Sequence, residues 1–273
     1  VVRSSFGLVH RAVQRWRVAA LSVAALSITL VGVASPVAAQ SYSLTTQWQD
    51  VTQPTATGWS YQQGSNPLPW TAVWSGTQGA YAQNPEVAAC VGSTAPFIPA
   101  IMKVAAGGLT GLDVQTGDII AHSVDGCAGN PSAGEASLVW TSASARTVSL
   151  TGATWSLRGI NRATAFDLLL MRGGLEISSL ATGSMSFIGN VVGGTTGTNR
   201  ANPFAFAANS VSMLAGDQLV FRLRTATGSV ADYAGVRLDL TATATTVPEP
   251  STYLLMATGL VGVLLVSRRR RSV

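Results

Sequence analysis

Histidine, cysteine and charge are all scarce in this sequence, and each shortage excludes a class of function. Of 273 residues, two are histidine and two are cysteine. His10 lies near the N-terminus, which leaves His122 alone in the rest of the chain. A Ser-His-Asp or Cys-His centre needs a base oriented by a carboxylate, and no nucleophile motif such as GxSxG accompanies His122. One histidine cannot build a histidine-rich zinc site. Two cysteines exclude a four-thiolate site and a disulfide-dense scaffold. The expectation is no catalytic residue, no metal and no cofactor. Charged residues make up 11% of the chain, under half the roughly 25% of ordinary domains, which excludes a strongly acidic or basic disordered chain.

The formal net charge of +5 would ordinarily invite a nucleic-acid partner. Its distribution withdraws the invitation. Arg3, Arg11, Arg15 and Arg17 crowd the first seventeen residues, and Arg268, Arg269, Arg270 and Arg271 crowd the last six. Between Gln40 and Thr246 there are nine basic and eleven acidic side chains, a net of −2. The basicity belongs to the two ends, and no nucleic-acid partner is expected.

Both ends read as addresses. At the N-terminus the arginines precede an apolar run, Val18 to Val33, then Pro36, then the small residues Val37-Ala38-Ala39 before Gln40. Positive charge, apolar segment and small-residue cleavage site are the parts of a secretory signal peptide, placed over residues 1–39 as a leader helix. At the C-terminus Pro248-Glu249-Pro250 leads into an apolar run from Thr252 to Val266, closed by Ser267 and the four arginines. The two prolines bracket Glu249, fix the backbone and present an extended strip. The fifteen apolar residues make about 22 Å of helix, short of a roughly 30 Å hydrocarbon core. Four terminal arginines nevertheless suit a cytoplasmic stop, so a short C-terminal transmembrane helix is expected. The body then lies across the membrane from those arginines. An ordinary C-terminal anchor with a proline linker is the plainer alternative.

Taken in that three-part order, residues 247–273 resemble the PEP-CTERM sorting tail of Gram-negative bacteria. The resemblance implies an exported protein handled by an exosortase, with Pro248, Glu249 and Pro250 as the sorting motif and Arg268, Arg269, Arg270 and Arg271 as the membrane stop. It implies transient contact with the inner membrane, then release to the cell surface or the exopolysaccharide matrix.

Residues 40–246 form the body. No long 3.6-period stripe occurs there; short alternating runs are separated by Gly, Asn, Ser and Pro, which is the all-β pattern. Leu219, Phe221 and Leu223 alternate with Val220, Arg222 and Arg224 after the turn Ala215-Gly216-Asp217, and Val236, Leu238 and Leu240 alternate with Arg237, Asp239 and Thr241. Phe166 to Arg172, Gly173-Gly174 and Leu175 to Ser179 read as a hairpin, because paired glycines supply the positive φ of a tight turn. Further strands are expected at Ser137–Trp140, Thr147–Leu150, Thr154–Arg158, Ser184–Ile188 and Ser210–Leu214. The fold class is all-β, a two-sheet sandwich. Glu135 to Thr243 resembles a jelly-roll module common in PEP-CTERM cargo, a likeness that brings no catalytic residues. Residues 40–134 read as loop-rich and irregular, residues 135–246 as regular strands.

Within the body, Cys90 and Cys127 are expected to form one disulfide, the default in an oxidising compartment. Asp113, Asp118 and Asp125 offer oxygens to calcium, but EF-hand spacing is missing and turn formation explains them more simply. Trp48, Trp59, Trp70 and Trp74 fall within 27 residues, beside Tyr42 and Tyr61. Trp59, Tyr61, Trp70 and Trp74 are candidates for stacking on sugar rings, with Gln47, Gln49, Gln62, Gln63 and Asn66 as polar neighbours. Burial in the core is the competing use of large aromatics. A structural or glycan-binding protein is expected, with extracellular polysaccharide as the partner. A secreted hydrolase acting on matrix polysaccharide is the alternative.

Overall fold

The computed structural model describes residues 38–50, 58–71, 77–82, 99–109, 111–123, 135–157, 164–185, 198–225, 233–245 and 250–271. The expected leader helix, Cys90, Cys127, Trp74, Pro248 and Glu249 lie outside the described residues. In the first half of the body the strands are β1 (Gln40–Ser43), β2 (Trp59–Gln63), β3 (Asn66–Pro67), β4 (Trp70–Thr71), β5 (Thr77–Ala82), β6 (Ala100–Val104) and β7 (Ile119–His122). In the second half they are β8 (Ala136–Thr141), β9 (Arg146–Ser156), β10 (Thr164–Arg172), β11 (Leu175–Met185), β12 (Phe204–Met213), β13 (Gln218–Thr225) and β14 (Tyr233–Ala244). All lie within one compact unit, Ala38–Thr245. One helix, α1 (Pro250–Arg271), belongs to a separate unit.

The body is the expected all-β, two-sheet sandwich. The larger sheet runs β12-β9-β14-β7-β6-β5-β4, with β1 added to β14; the smaller runs β11-β10-β13-β8-β2-β3. Every pairing is antiparallel, which is why single faces alternate cleanly along the later strands. Leu219, Phe221 and Leu223 of β13 meet Phe166 and Leu168 of β10 and Leu238 and Leu240 of β14 in the space between the sheets. The β10–β11 hairpin turns on Gly173 and Gly174, whose φ values of 56° and 81° are those of a type I′ turn.

A second, smaller core lies on the other face of the larger sheet. Trp155, Gly235, Ile120, Met102 and Ala80 stand in one cross-strand row. Trp155, Ile120, Met102 and Ala80 are buried there with Leu157, and Leu109, Leu112 and Val114 of the β6–β7 connection pack against them. The loop is therefore part of the packed body. Gly235 makes room for the largest of these side chains, since a Cβ at that position would sit 2.1 Å from the Trp155 ring. Only a bare backbone lets the indole lie across β14.

Two expectations are corrected. Among the described residues no helix is long and apolar enough to cross a membrane, so the expected transmembrane helix is not found. Helix α1 has 22 residues, but both ends are polar and the apolar part is the fifteen-residue run read from the sequence. About 22 Å of apolar helix does not match a roughly 30 Å core. Met256, Leu260, Val261, Val263 and Leu264 are each more than half exposed. No disulfide is found among the described residues, and Cys90 and Cys127, the expected pair, lie outside them.

Candidate functional site

The aromatic candidates are governed by the pairing of β2 with β8. Trp59 stands opposite Trp140, and Tyr61 opposite Leu138. Trp59 and Tyr61 do share a strand face, and that face points inward. Trp59 is 2% exposed and Tyr61 0%. Tyr61 stacks on Tyr81 with ring centroids 4.2 Å apart, Trp48 lies 5.0 Å from Tyr61, and Trp70 lies 5.0 Å from Tyr81. Burial, with Tyr81 and Asp50 nearby, pushes the Tyr61 phenol well above its ordinary value.

Two of the polar residues expected to line a sugar platform, Gln47 and Gln49, serve this cluster instead, together with Asp50. Trp59 Nε1 donates to Gln47 Oε1 at 3.0 Å, Trp48 Nε1 donates to Asp50 Oδ1 at 2.7 Å, and the Tyr81 hydroxyl donates to the Gln49 carbonyl. Trp70 is half-buried, with its indole over Gly79, where a Cβ would lie 2.3 Å from the ring. A buried ring has no face to offer a ligand. Trp59 and Tyr61 are core residues, and Trp70 packs partly buried against the same core.

Among the described residues, charge is handled in three carboxylate–arginine clusters. On the outer face of the smaller sheet, Gln62, Ser137, Arg222, Asp167 and Thr182 stand in one row across β2, β8, β13, β10 and β11. Asp167 accepts hydrogen bonds from Arg222 and Arg224, each at 2.9 Å. Burial raises the Asp167 carboxyl, but the two guanidiniums outweigh it and hold the group below its ordinary value. Glu135 lies 3.5 Å from Arg222, and there burial wins, so its carboxyl is pushed up.

At the β12–β13 turn, Arg172 grips Asp217 with both arms at 2.8 and 2.7 Å, and the Leu214 N–H donates to the same carboxylate at 2.8 Å. The Arg172 hydrogen bonds hold Asp217 below its ordinary value, against the effect of burial. Over the second core, Asp118 is held by Arg200 at 2.7 and 3.2 Å, with Arg237 at 3.7 Å. Asp113 accepts the Arg200 backbone N–H at 2.7 Å.

These clusters decide what the acids are for. Asp113 and Asp118 close a turn and anchor Arg200. Among the described residues no group of three His, Cys, Asp or Glu side chains is placed to hold a metal ion. His122 is buried against Tyr233, ring centroids 4.3 Å apart, and its Nδ1 contacts the Ser123 carbonyl. Nothing in the sequence pattern points to the three arginine clusters. The partners are 45 to 82 residues apart in their closest hydrogen-bonded pairs, and no local motif signals them.

At the sorting tail, Pro250 is the first residue of α1, a position where the missing proline N–H costs no helical hydrogen bond. The arginines close the same helix at its negative end. Residues 246–271 match the model of the PEP-CTERM protein-sorting motif. The chain carries a PEP-CTERM protein-sorting motif. The PEP-CTERM motif marks an exported protein with a cell-surface or extracellular fate.

No curated protein matches the chain. Among solved structures, it is similar to a mutant of the family 29 carbohydrate-binding module CBM29-2, at 17% identity and TM-score 0.29, over 52% of this chain and 82% of that one. It is also similar to a cleaved adhesin domain of Lys-gingipain from Porphyromonas gingivalis, at 9% identity and TM-score 0.32, over 76% and 99% of the two chains. A third likeness is to the GH26-CBM35 β-(1,4)-mannanase of Podospora anserina, at 12% identity and TM-score 0.26, over 70% of this chain and 29% of that one.

Proposed function

We propose that this chain is a surface or matrix protein of a Gram-negative bacterium, cut near Pro248-Glu249-Pro250 by an exosortase, with a structural or polysaccharide-binding body. The observation that carries the proposal is the sorting motif over residues 246–271. A body bound for the outside of the cell must hold together without help. Each arginine cluster ties elements far apart in the chain, and the second core fastens the β6–β7 loop to the larger sheet.

The same clusters take three of the eleven acids of the body out of catalytic use. A glycosidase needs two carboxyl groups free to face a glycosidic bond, one to protonate it and one to attack or activate water. Asp118, Asp167 and Asp217 are each committed to arginine. Binding, if it is the role, is not assigned to Trp59 and Tyr61.

The test has two arms. The full chain and one ending at Val247 are expressed in the producing host, and both are located by fractionation. The full chain reaches the surface or medium, and the truncated chain does not; equal distribution overturns the sorting role. The purified full chain is then incubated with the producer's own polysaccharide. Retention with no sugar released, or neither retention nor release, agrees with the proposal. Progressive sugar release overturns it in favour of the hydrolase.

A further inference from the structure

The first strand begins at the expected leader cut, and its first residue has a side chain able to react with a new N-terminus. Ala38 and Ala39 are exposed and outside any strand, the compact unit begins at Ala38, and β1 begins at Gln40. Gln40 stands opposite Ala242 on β14, so a chain starting there keeps β1 whole.

The Gln40 carboxamide is held in place. The Tyr42 hydroxyl donates to its Oε1 at 2.7 Å, and Arg146 reaches the same oxygen at 3.4 Å. Tyr42 is fixed by edge-on contact with Trp140, ring centroids 5.0 Å apart. Arg146 is only 8% exposed, and its other contacts are neutral: the Tyr42 hydroxyl at 2.8 Å, the Ser144 hydroxyl at 2.9 Å and the Trp140 ring at 5.9 Å. Among the described residues no carboxylate pairs with it.

Cleavage after Ala39 puts an α-amine on the residue that Arg146 already touches. A guanidinium stays protonated, so a protonated amine makes a second cation there, and a nearby like charge favours the neutral amine. Resting on the leader-cleavage reading, we propose that the exported chain closes Gln40 to pyroglutamate at a site built by Tyr42 and Arg146.

The step is an intramolecular acyl transfer. The neutral α-amine attacks Cδ of its own side chain; the N–Cδ bond forms, the Cδ–Nε2 bond breaks, and an amine proton leaves with Nε2 as ammonia. Nothing is oxidised or reduced, and no co-reactant is needed. Negative charge gathers on Oε1 in the tetrahedral intermediate, and that is the oxygen to which Tyr42 and Arg146 donate. Donors already aimed at a developing oxyanion lower the barrier without reorganising. The lactam keeps a carbonyl acceptor for Tyr42 and Arg146, keeps one N–H for the strand, and removes the charge beside Arg146.

The test is N-terminal peptide mass and sequencing of the exported chain, followed over time after release. The expected product starts at residue 40, its N-terminal peptide is one ammonia lighter than the encoded sequence, and it resists Edman degradation. A product starting at Gln40 with an open amine overturns the proposal and leaves leader cleavage standing; a start elsewhere overturns both. To separate a built site from the ordinary reactivity of N-terminal glutamine, the open chain is timed folded, in denaturant, and as Tyr42→Phe, which keeps the ring against Trp140. Closure is expected to be fastest in the folded parent, and Tyr42→Phe slower by roughly five- to tenfold, the worth of one hydrogen bond. Equal rates in all three overturn the role of Tyr42 and Arg146.

Discussion

Replacing Gly235 by alanine tests the packing of the second core. The new Cβ would lie 2.1, 2.2 and 2.6 Å from Cε2, Cζ2 and Cδ2 of Trp155, whereas ordinary contact begins at 3.4 Å. The indole would have to retreat by about 1.3 Å, the difference between 3.4 and 2.1 Å. It has nowhere to go. Trp155 is 0% exposed, its Nε1 donates to the Asp113 carbonyl at 2.9 Å, and Arg237 lies over its ring at 5.0 Å. Overpacking of this kind costs about 1–3 kcal/mol, and a lost hydrogen bond adds about 1 kcal/mol. The alanine recovers about 0.4–1 kcal/mol by restricting the unfolded chain. A net loss of about 1–3.5 kcal/mol lowers Tm by roughly 3–14 °C in a domain of this size. Thermal and urea unfolding of Gly235→Ala, followed by tryptophan fluorescence, measures it. Gly259→Ala on α1 is the control, since a Cβ there meets nothing within 4 Å. A Gly235→Ala midpoint within about 2 °C of the parent would refute the packing argument.

Trp59→Ala is expected to cost about 3–5 kcal/mol of stability, as for any fully buried tryptophan; unchanged urea unfolding with lost polysaccharide retention would mean that the ring faces outward after all. Asp167 and Asp217 are held below their ordinary values, so their contribution is whole above the ordinary carboxylate range and is lost as pH falls through the lowered values. Glu135, pushed up, acts with the opposite sign. The unfolding midpoint of the parent is therefore expected to drop as pH falls below about 4, and less steeply in Asp217→Asn; parallel profiles would show that the Arg172 grip contributes nothing. Joint replacement of Pro248 and Pro250 by alanine is expected to leave unprocessed chain in the cells, seen as a larger band on immunoblots; normal processing would remove the proline bracket from the recognition signal.

The later strands were legible because antiparallel pairing leaves a period of two in the sequence, as in Leu219, Phe221 and Leu223, and because Gly173-Gly174 names its own turn. The lengths were less legible. Thr147–Leu150 and Thr154–Arg158 read as two strands around Gly152, yet β9 runs unbroken from Arg146 to Ser156. Gly152 interrupts nothing; a Cβ there would lie 2.3 Å from Phe206, so the glycine gives that ring its place. Gly183 does the same under Phe166, which is why β11 continues past Ser179 to Met185. The described part of residues 40–134 holds seven short strands whose faces are set by distant partners. Alternation put Trp59 and Tyr61 on one side, but only β8, almost 80 residues later, decides that this side is the inside. The sorting motif was readable in full, because a linear signal carries its information in local order.

The most direct test of the account is mass spectrometry of the C-terminal peptides from the chain recovered outside the cell. Sorting by cleavage predicts that peptides from the body are abundant while none contains Arg268 to Arg271. Recovery of that arginine run in the extracellular fraction, in the same amount as the body, would contradict the processing on which the proposed role depends.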